Sequence, residues 1–351
     1  MSIIKYASNP VISICDIKPS RKDFEVIGVF NPGAIKVGDE TILMLRVAEK
    51  PINNDHRKYF CPVYNVDTGK VMIKSFSKDD KSCDFSDPRV ILTQEQNYLT
   101  SMSHLRLAKS KDGYHFTIED EPSVFPSCSY EAFGVEDPRI TKIDQSYYIS
   151  YSCASNAGII TYLASTDDFK EFNRKGIIFH PDNKDVAIFP EKVNGKYYSL
   201  HRPSCSFYGK PDIWIAESPD LMCWGNHKQV ATVRKGNWDS ARIGAGAIPF
   251  RTEYGWLEIY HGATEENRYC LGAILFDLNE PWKILARSEK PLVQPEEDYE
   301  VNGFFGNVVF SCGAINDNDN VRIYYGAADE SVACVDMTID DIMSNLNYKC
   351  I

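Results

Sequence analysis

The stretch that decides the fold is Pro138-Arg-Ile-Thr-Lys-Ile-Asp-Gln-Ser-Tyr-Tyr-Ile-Ser-Tyr151. It contains a strand, a short polar turn and a second strand rich in aromatic residues, which is the pattern of a β-hairpin. The same design recurs at residues 33–46, 189–201, 247–261 and 308–325. Its turns include Gly38-Asp39 and Asn194-Gly195, and the second of these is a strong hairpin signal. The sequence therefore predicts five hairpins.

A second repeat is interleaved with the hairpins. Residues 107–116, 163–172 and 215–224 each contain a strand, a Ser/Thr-x-Asp turn and an aromatic residue, and residues 273–282 contain a looser version. The polar side chains of such turns bond nearby backbone groups, so the recurrence has a structural reason. Inner and outer hairpins in alternation predict four-stranded blades, and hence an all-β, five-bladed β-propeller.

Few other elements are predicted. Additional strands are expected at residues 60–64 and 71–76, and the one short helix is expected near the C-terminus, at residues 339–346. The sequence shows no linker composition or low-complexity tract. We therefore expect residues 1–351 to form a single propeller domain that carries the catalytic site.

Composition limits the classes of partner. The 351 residues carry a net charge of −11, which argues against nucleic acid or an anionic membrane as the main partner. The 11 cysteines include no CxxC pair, the N-terminus lacks a secretory pattern, and no apolar run is long enough to span a bilayer. These features predict a cytoplasmic protein. A homo-oligomer is compatible with the sequence.

Polar residues at the ends of the predicted inner hairpins are candidates for a site, because a propeller brings these ends to one face. They are Asn31, Arg46, Asp137, Arg139, His201, Arg202, His261 and Asp329. Within Glu136-Asp-Pro-Arg139, we interpret Asp137 as the catalytic acid of a sugar-processing enzyme. The alternative for this stretch is a structural turn in which Asp and Arg form an ion pair. The alternative for each histidine is a structural residue at a strand end whose hydrogen bonds are satisfied within the fold. The dispersed histidines predict no metal site.

Five motifs together resemble glycoside hydrolase family 130, the β-mannoside phosphorylases and their hydrolase relatives. The motifs are Glu136-Asp-Pro-Arg139, Phe189-Pro-Glu-Lys192, His201-Arg-Pro203, Gly255-Trp-Leu with Tyr260-His-Gly262, and Tyr325-Gly-Ala-Ala-Asp329, and the similarity extends over nearly the whole chain, from Phe30-Asn-Pro-Gly-Ala34 to Asp329. The resemblance implies a five-bladed propeller in which Asp137 donates the proton through the mannose 3-hydroxyl. It also implies that phosphate attacks the anomeric carbon with inversion, giving α-mannose 1-phosphate.

The resemblance further implies phosphate ligands at Lys184, Arg202, Arg242 and His261. At two of these positions the residue differs from the one that the resemblance leads us to expect: Lys184 stands in place of an Arg, and Arg242 in place of a Lys. The positive charge is kept, while the geometry of the hydrogen-bond donors changes. A filled cationic set favours phosphorolysis, because an inverting hydrolase needs a second carboxylate to activate water. If a base were needed, Glu258 and Glu265 would be the candidates.

The resemblance implies that Asn31, Arg46 and Asp329 bind the sugar, and Arg106 is a further candidate for this role. The segment Ser101-Met-Ser-His-Leu-Arg106 resembles members acting on β-1,2-mannobiose and β-1,2-oligomannan more than β-1,4 members. Loops 49–57 and 122–130 are expected to shape the acceptor side. Inorganic phosphate is expected as co-substrate, with no cofactor. The alternatives are a β-1,4-mannoside phosphorylase, an inverting β-mannosidase, and a non-catalytic carbohydrate-binding propeller.

Overall fold

The computed structural model describes residues 3–204, 207–346 and 348. The described chain is almost entirely β-structure. After β1 (Ile4–Lys5), it forms β2 (Phe24–Val37), β3 (Glu40–Pro51), β4 (Lys58–Asn65), β5 (Lys70–Ser77), β6 (Val90–Leu92), β7 (Asn97–Leu99), β8 (Met102–Ser110) and β9 (Thr117–Ile118). Strands β2, β3, β8 and β9 pair antiparallel in that order and form sheet 1, whereas β4–β5 and β6–β7 are separate hairpins.

The remaining strands form four more antiparallel groups. Sheet 2 contains β10 (Gly134–Ile143), β11 (Ser146–Ser155), β12 (Gly158–Thr166) and β13 (Asn173–Phe179). Sheet 3 contains β14 (Asn183–Ile188), β15 (Tyr197–Pro203), β16 (Ile213–Ser218) and β17 (Gly225–Ala231). Sheet 4 contains β18 (Arg242–Ala245), β19 (Phe250–Arg251), β20 (Trp256–Ala263), β21 (Tyr269–Phe276) and β22 (Ile284–Arg287). Sheet 5 contains β23 (Val309–Asp317), β24 (Asn320–Ala327) and β25 (Ser331–Thr338), and β1 pairs with β25.

The helices of the described chain are short. The α-helices are α1 (Asp298–Val301) and α2 (Ile339–Asn345), and single 3-10 turns lie at Ile14–Asp16 and Ser129–Glu131. Helix α2 confirms the predicted C-terminal helix, and it begins with the Thr338 side chain accepting a hydrogen bond from Asp341 N. Helix α1 was not predicted. Over the described residues, no helix combines the length and apolar character needed to cross a membrane.

The predicted hairpins correspond to observed strand pairs. These are β2–β3, β10–β11, β14–β15, β18 and β19 with β20, and β23–β24. The additional strands predicted at 60–64 and 71–76 are β4 and β5, paired with each other. Two starts were wrong. The fourth hairpin was predicted to begin at residue 247, after the observed strand Arg242–Ala245. The third was predicted to begin at residue 189, but its first strand is Asn183–Ile188. The residues after Ile188 form the connection between the two strands of the third hairpin, so the prediction missed the first of these strands.

The interleaved repeat has the structural role expected of it. Where strands β8, β12 and β16 end, the hydroxyls of Ser110, Thr166 and Ser218 accept hydrogen bonds from backbone N–H groups three residues later, at 2.8, 2.9 and 2.9 Å. Each hydroxyl therefore satisfies a donor that the turn would leave unpaired.

The sheets contact one another in chain order, and the last contacts the first. The connecting hydrogen bonds include Ser150 Oγ to Val186 O (2.7 Å), Ile243 N to Pro211 O (2.9 Å), Tyr269 N to Asn307 O (3.0 Å) and Val29 N to Glu330 O (3.1 Å). Sheets 1 and 2 are joined by one parallel pair, Gly134 with Ser103. The second strands of the five sheets contribute fully buried apolar residues, namely Leu43, Ile149, Leu200, Leu257 and Ile323. Burial of each such side chain contributes about 1.5–3 kcal/mol.

Candidate active site

Bulges in the first strands of the sheets define the site. The pairing register shifts between Phe30 and Gly33 in β2, between Glu136 and Arg139 in β10, and between Lys184 and Ala187 in β14. A bulge adds an unpaired residue and redirects its side chain. The inserted residues include Asn31, Asp137 and Asp185, whose φ angles are 47°, 51° and 55°. Asn and Asp adopt this left-handed backbone more readily than other non-glycine residues.

Asp137 lies at the centre of a buried hydrogen-bond network. Its Oδ1 accepts from Asn31 Nδ2 at 2.9 Å and from Arg46 Nη1 at 2.9 Å. Arg46 also lies 2.9 Å from Glu136 Oε1 and donates to Ser103 Oγ at 3.0 Å. The structure therefore joins Asn31, Arg46 and Asp137, three of the residues predicted from the sequence, and adds Glu136 as the second carboxylate on Arg46.

The charge state of Asp137 follows from these neighbours. Burial raises the pKa of the Asp137 carboxyl, but Arg46, the Asn31 amide and Lys184 outweigh burial and hold this pKa below its ordinary value. Without bound substrate, Asp137 is therefore a carboxylate at neutral pH. To act as an acid, it must gain a proton when the surrounding charge changes.

The guanidinium of Arg139 is bound by other groups of the protein and is not free, so Arg139 has a structural role. It is 1% exposed and donates to the backbone oxygens of Gly246 and Ala245 at 2.7 Å each. It also donates to Asp137 O at 3.2 Å and lies 3.3 Å from Asp185 Oδ1. Arg139 therefore links sheet 2 to sheet 4 and holds the backbone that carries Asp137.

Asp185 is the functional residue that sequence reasoning missed. Its Oδ2 lies 3.1 Å from Arg202 Nη1 and 3.3 Å from His261 Nε2, and the residue is 1% exposed. Burial opposes its ionisation, but Arg202, His261 and Arg139 hold the pKa of the carboxyl well below its usual range. A signal was present: Lys184-Asp-Val matches the position of Glu136-Asp-Pro and Phe30-Asn-Pro, once the third hairpin is extended five residues upstream of residue 189.

The four predicted phosphate ligands lie in one region around Asp185. Arg202 Nη1 is 3.3 Å from His261 Nε2, and Lys184 pairs with Arg202 in the register of β14 and β15. Arg242 is connected to this group through Tyr269, whose ring centre is 5.3 Å from the Arg242 guanidinium and 6.2 Å from the His261 ring centre. Burial lowers the pKa of His261, and the positive charge of Arg202 lowers it further. These effects outweigh the Asp185 carboxylate, which acts in the opposite direction, so His261 is neutral.

Asp329 faces the same network from sheet 5. Burial and the carboxylates of Asp137 and Glu136 raise its pKa to about 6, although Arg46 and Arg89 act in the opposite direction. The close approach of sheets 5 and 1 depends on a glycine, because a Cβ at Gly326 would lie 2.2 Å from Asn31 Oδ1. Asp329 and Arg46, which the family resemblance groups as sugar ligands, are thus close enough for their charges to interact.

The raised pKa of Asp329 predicts a pH-dependent stability. Between pH 3.8 and about 6, the folded chain binds more protons at Asp329 than the unfolded chain does, so its contribution to stability falls as pH rises. Asp329→Asn should remove this decrease in unfolding free energy, which is about 2–3 kcal/mol for a pKa shift of this size. Urea unfolding at pH 4 and pH 7 measures it. The control is Asp144→Asn, at an exposed turn with a similar φ of 54°. An unchanged pH difference in Asp329→Asn would contradict the prediction.

The structure does not bring Arg106 to this network. Arg106 is three positions from Ser103 on β8, so it lies on the opposite face of the strand from the residue that contacts Arg46. It is 0% exposed and donates from Nη1 to Lys18 O at 2.8 Å. A bulge-free strand alternates its faces strictly, and this alternation separates Arg106 from the site.

The two candidate bases have unsuitable surroundings. Glu258 is 0% exposed, its Oε1 accepts from Gly246 N at 2.8 Å, and burial raises its pKa well above the ordinary value. Burial therefore disfavours the ionised form of this carboxyl. Glu265 is exposed and pairs with Lys210 at 3.1 Å. Neither carboxyl has the properties of a base that activates water.

The site thus combines the buried Asp137 carboxyl, a set of polar groups around it and a cationic set around Asp185, on an all-β scaffold. Such a combination is suited to a carbohydrate-active enzyme with an anionic second substrate. The model of glycoside hydrolase family 130, described as beta-1,4-mannooligosaccharide phosphorylase, matches residues 87–348. The chain belongs to this family.

Two relatives and one solved structure illustrate the similarity. A beta-1,2-mannobiose phosphorylase of Listeria innocua is 49% identical over 353 residues, which cover 99% of each chain. A 1,2-beta-oligomannan phosphorylase of Thermoanaerobacter sp. is 41% identical over 244 residues, covering 69% of this chain and 80% of that one. The solved structure of the Listeria innocua beta-1,2-mannobiose phosphorylase with beta-1,2-mannobiose has a TM-score of 0.96 at 48% identity, covering 99% of this chain and 100% of the other.

Proposed function

We propose that this chain is an inverting β-mannoside phosphorylase that acts on β-1,2-mannobiose and short β-1,2-mannooligosaccharides. The observation that carries the proposal is the placement of one buried acid, Asp137, beside a cationic set held by Asp185. The similarity to two phosphorylases of β-1,2-linked substrates supports the linkage. In the reaction, the glycosidic C–O bond breaks, a phosphate oxygen bonds to the anomeric carbon, and the shortened sugar takes a proton.

The scaffold of this enzyme is inferred to be a five-bladed propeller formed by residues 1–351 as one domain. Five successive antiparallel sheets, with each in contact with the next and the last in contact with the first, support this arrangement. The bulged residues Asn31, Asp137 and Asp185 come from three different sheets and meet in one network through Arg46 and Arg139. Convergence of equivalent strand positions is what blades around an axis produce.

The cationic set provides the phosphate site. Lys184, Arg202 and Arg242 supply three positive charges, and the Asp185 carboxylate removes one, so two remain for a phosphate of about −1.5 to −2. An Arg fork binds phosphate oxygens bidentately, and Arg202 is held in position by Asp185 at 3.1 Å. Neutral His261 can donate one further hydrogen bond. Inorganic phosphate is thus a co-substrate in a reaction that uses no cofactor.

Phosphate binding also prepares the acid. The positive charge of Lys184 helps to hold the pKa of Asp137 low, and a bound phosphate offsets that charge. Phosphate binding should therefore raise the pKa of Asp137, while Arg46, the largest influence that lowers it, stays in place. Asp137 takes up a proton and donates it toward the glycosidic oxygen, through the mannose 3-hydroxyl as the family resemblance implies. One acid is sufficient, because phosphate is already a nucleophile and needs no base such as Glu258 or Glu265.

Phosphate dependence tests the proposal. With β-1,2-, β-1,3- and β-1,4-mannobiose as substrates, the chain should release α-mannose 1-phosphate from the β-1,2 compound only when phosphate is present. Product identification by NMR measures both the linkage and the anomeric configuration. Free mannose at an equal rate without phosphate would identify a hydrolase. Sugar binding without turnover would identify a carbohydrate-binding propeller, and a preference for the β-1,4 compound would overturn the linkage.

The proposed location is the cytoplasm. The nine cysteines in the described part of the chain are free thiols, and five of them are buried. Burial raises the pKa of Cys61 and of Cys334 to about 12 each, so these thiols stay protonated and unreactive. A chain with this many unpaired thiols suits a reducing compartment.

A further inference from the structure

Glu258 is a fully buried carboxyl on β20, and the proposed reaction does not use it as an acid or a base. Its Oε1 accepts a hydrogen bond from Gly246 N at 2.8 Å. Over the residues that the structure describes, its Oε2 has no hydrogen-bond partner. Burial raises the pKa of this carboxyl, and because Oε1 is already an acceptor, Oε2 is the oxygen that can carry the proton. Burying such a group costs free energy, so a role for it in the folded protein is expected.

The Gly246 N–H lies in a gap of the strand pairing. Strand β18 pairs with β20 only up to Ala245, and β19 resumes the pairing at Phe250. A Cβ at Gly246 would lie 2.2 Å from Ile259 O, so the backbones approach too closely here for any side chain. The strand pairing therefore provides no acceptor for this N–H, and the Glu258 carboxyl takes that place.

The same peptide group reaches the site on its other side. The Gly246 N–H and the Ala245 carbonyl belong to one rigid trans peptide and point in opposite directions, so a hydrogen bond that fixes one also fixes the other. Ala245 O accepts from Arg139 Nη2 at 2.7 Å. The Arg139 guanidinium also donates to Asp137 O at 3.2 Å and lies 3.3 Å from Asp185 Oδ1. One peptide plane therefore connects the buried carboxyl to the guanidinium that contacts both halves of the site.

Sheet 4 differs from sheets 1 to 3 in what it contributes at this level. In the first three sheets, the inserted residues Asn31, Asp137 and Asp185 contribute polar side chains. In sheet 4, the gap in the pairing contains Gly246, which has no side chain, and the contribution is made by backbone oxygens that bind Arg139. Backbone oxygens have a fixed direction only if their peptide planes are held, and the buried Glu258 carboxyl holds one of these planes.

We propose that Glu258 is a positioning residue for phosphorolysis, which orients Arg139 and, through it, the Asp137 backbone and the Asp185 carboxylate. The inference rests on the proposed function and adds a residue to it. Glu258 does not touch the reacting atoms: it is 0% exposed, and its contact with the site passes through a peptide group. An uncharged acceptor is sufficient for this role, because what the Gly246 N–H needs is an oxygen and not a charge.

Two substitutions of Glu258 test the role. Glu258→Leu removes the acceptor and should lower kcat on β-1,2-mannobiose about 10²-fold, the usual effect of misplaced catalytic groups. Glu258→Gln keeps an acceptor oxygen and places an NH₂ group where the proton would be, so it should restore kcat to near the parent value. The loss in Glu258→Leu should be smaller on a nitrophenyl β-mannoside, whose leaving group departs without help from Asp137. Rates are measured at saturating phosphate and corrected for the folded fraction from urea unfolding.

A matched control is Glu300→Leu, which removes another carboxyl that is 0% exposed. Glu300 accepts from Tyr325 Oη and pairs with Lys5, each at 2.7 Å, and lies outside the contacts of Arg139. Glu300→Leu should lower stability and keep the parent kcat after the same correction.

Three results would overturn the positioning role: parent kcat in Glu258→Leu, an equal loss in Glu258→Gln, or an equal loss on both substrates. The second of these would mean that the carboxyl itself takes part in proton transfer. A loss in Glu300→Leu as large as that in Glu258→Leu would also overturn the role, because the effect would then be general damage to the fold. Failure of the parent to phosphorolyse mannobiose would instead overturn the proposed function, so the two failures are distinguishable.

Discussion

Asp137→Asn is expected to lower kcat/KM for phosphorolysis by about 10²–10⁴-fold, because an amide cannot supply the proton that the departing sugar needs. The substitution preserves size, and the Asn oxygen can still accept from Asn31 and Arg46, which donate to Oδ1 of Asp137 at 2.9 Å. Asn also tolerates the φ of 51° at this bulge. The loss should therefore appear in the rate and not in the free energy of unfolding.

The leaving group separates loss of the acid from general damage. A mannoside whose leaving group is a nitrophenolate departs without protonation, so Asp137→Asn should retain far more of the parent rate on it than on mannobiose. Steady-state kinetics on both substrates measure the difference. Asp144→Asn, an exposed turn residue in the same hairpin with a φ of 54°, should behave like the parent. If both substrates were slowed equally, Asp137 would be a structural turn residue and not the acid.

Asp185→Asn is expected to cost about 3–5 kcal/mol of unfolding free energy, the usual cost of removing one partner from a buried ion pair. The carboxylate is 1% exposed and lies within 3.3 Å of Arg139, Arg202 and His261. Asn keeps the shape of the side chain but leaves two buried guanidinium groups without their shared counter-charge. Urea unfolding at pH 7 measures the loss, with Asp144→Asn as the control.

The pH dependence of this effect has a defined sign. The pKa of Asp185 is held well below the ordinary value of 3.8, so its stabilising contribution is present above pH 3.8 and is lost as the pH falls. The difference in unfolding free energy between the parent and Asp185→Asn should therefore be full at pH 7 and shrink below about pH 4. A difference that stays constant with pH would show that packing, and not charge, is the role of Asp185.

Catalysis gives an independent measure of Asp185. Its negative charge repels phosphate, so the loss of charge alone would lower KM for phosphate and leave kcat unchanged. Its contacts also position Arg202 and His261, and misplacement of catalytic groups costs about 10²-fold in rate. We therefore expect kcat to fall about 10²-fold in Asp185→Asn without a rise in KM for phosphate. A changed KM at unaltered kcat would assign Asp185 a purely electrostatic role.

Much of the scaffold was predictable because its signals are local. The alternation and polar turns that predict the hairpins act within about a dozen residues, and the Ser/Thr turns bond their own backbone. Helix α2 has its own capping residue, Thr338. The start of the third hairpin was placed too late, because its first strand lacks the proline that marks the equivalent positions at Pro32 and Pro138.

By itself, the sequence determined the five hairpins, their spacing and the residue types that tolerate a left-handed backbone at the bulges, including Asn31 and Asp137. Only the tertiary structure decided that Asp185 holds Arg202 and His261, that Arg139 is bound by backbone oxygens, and that Arg106 points away from the site. The physical reason is that side chains alternate strictly between the two faces of a strand without an insertion, such as β8, whereas Asp137 and Asp185 are inserted residues whose side chains are redirected. Contacts between different sheets, such as Arg139 to Ala245 O and to Asp185, then decide which of these side chains meet, and no local pattern encodes them.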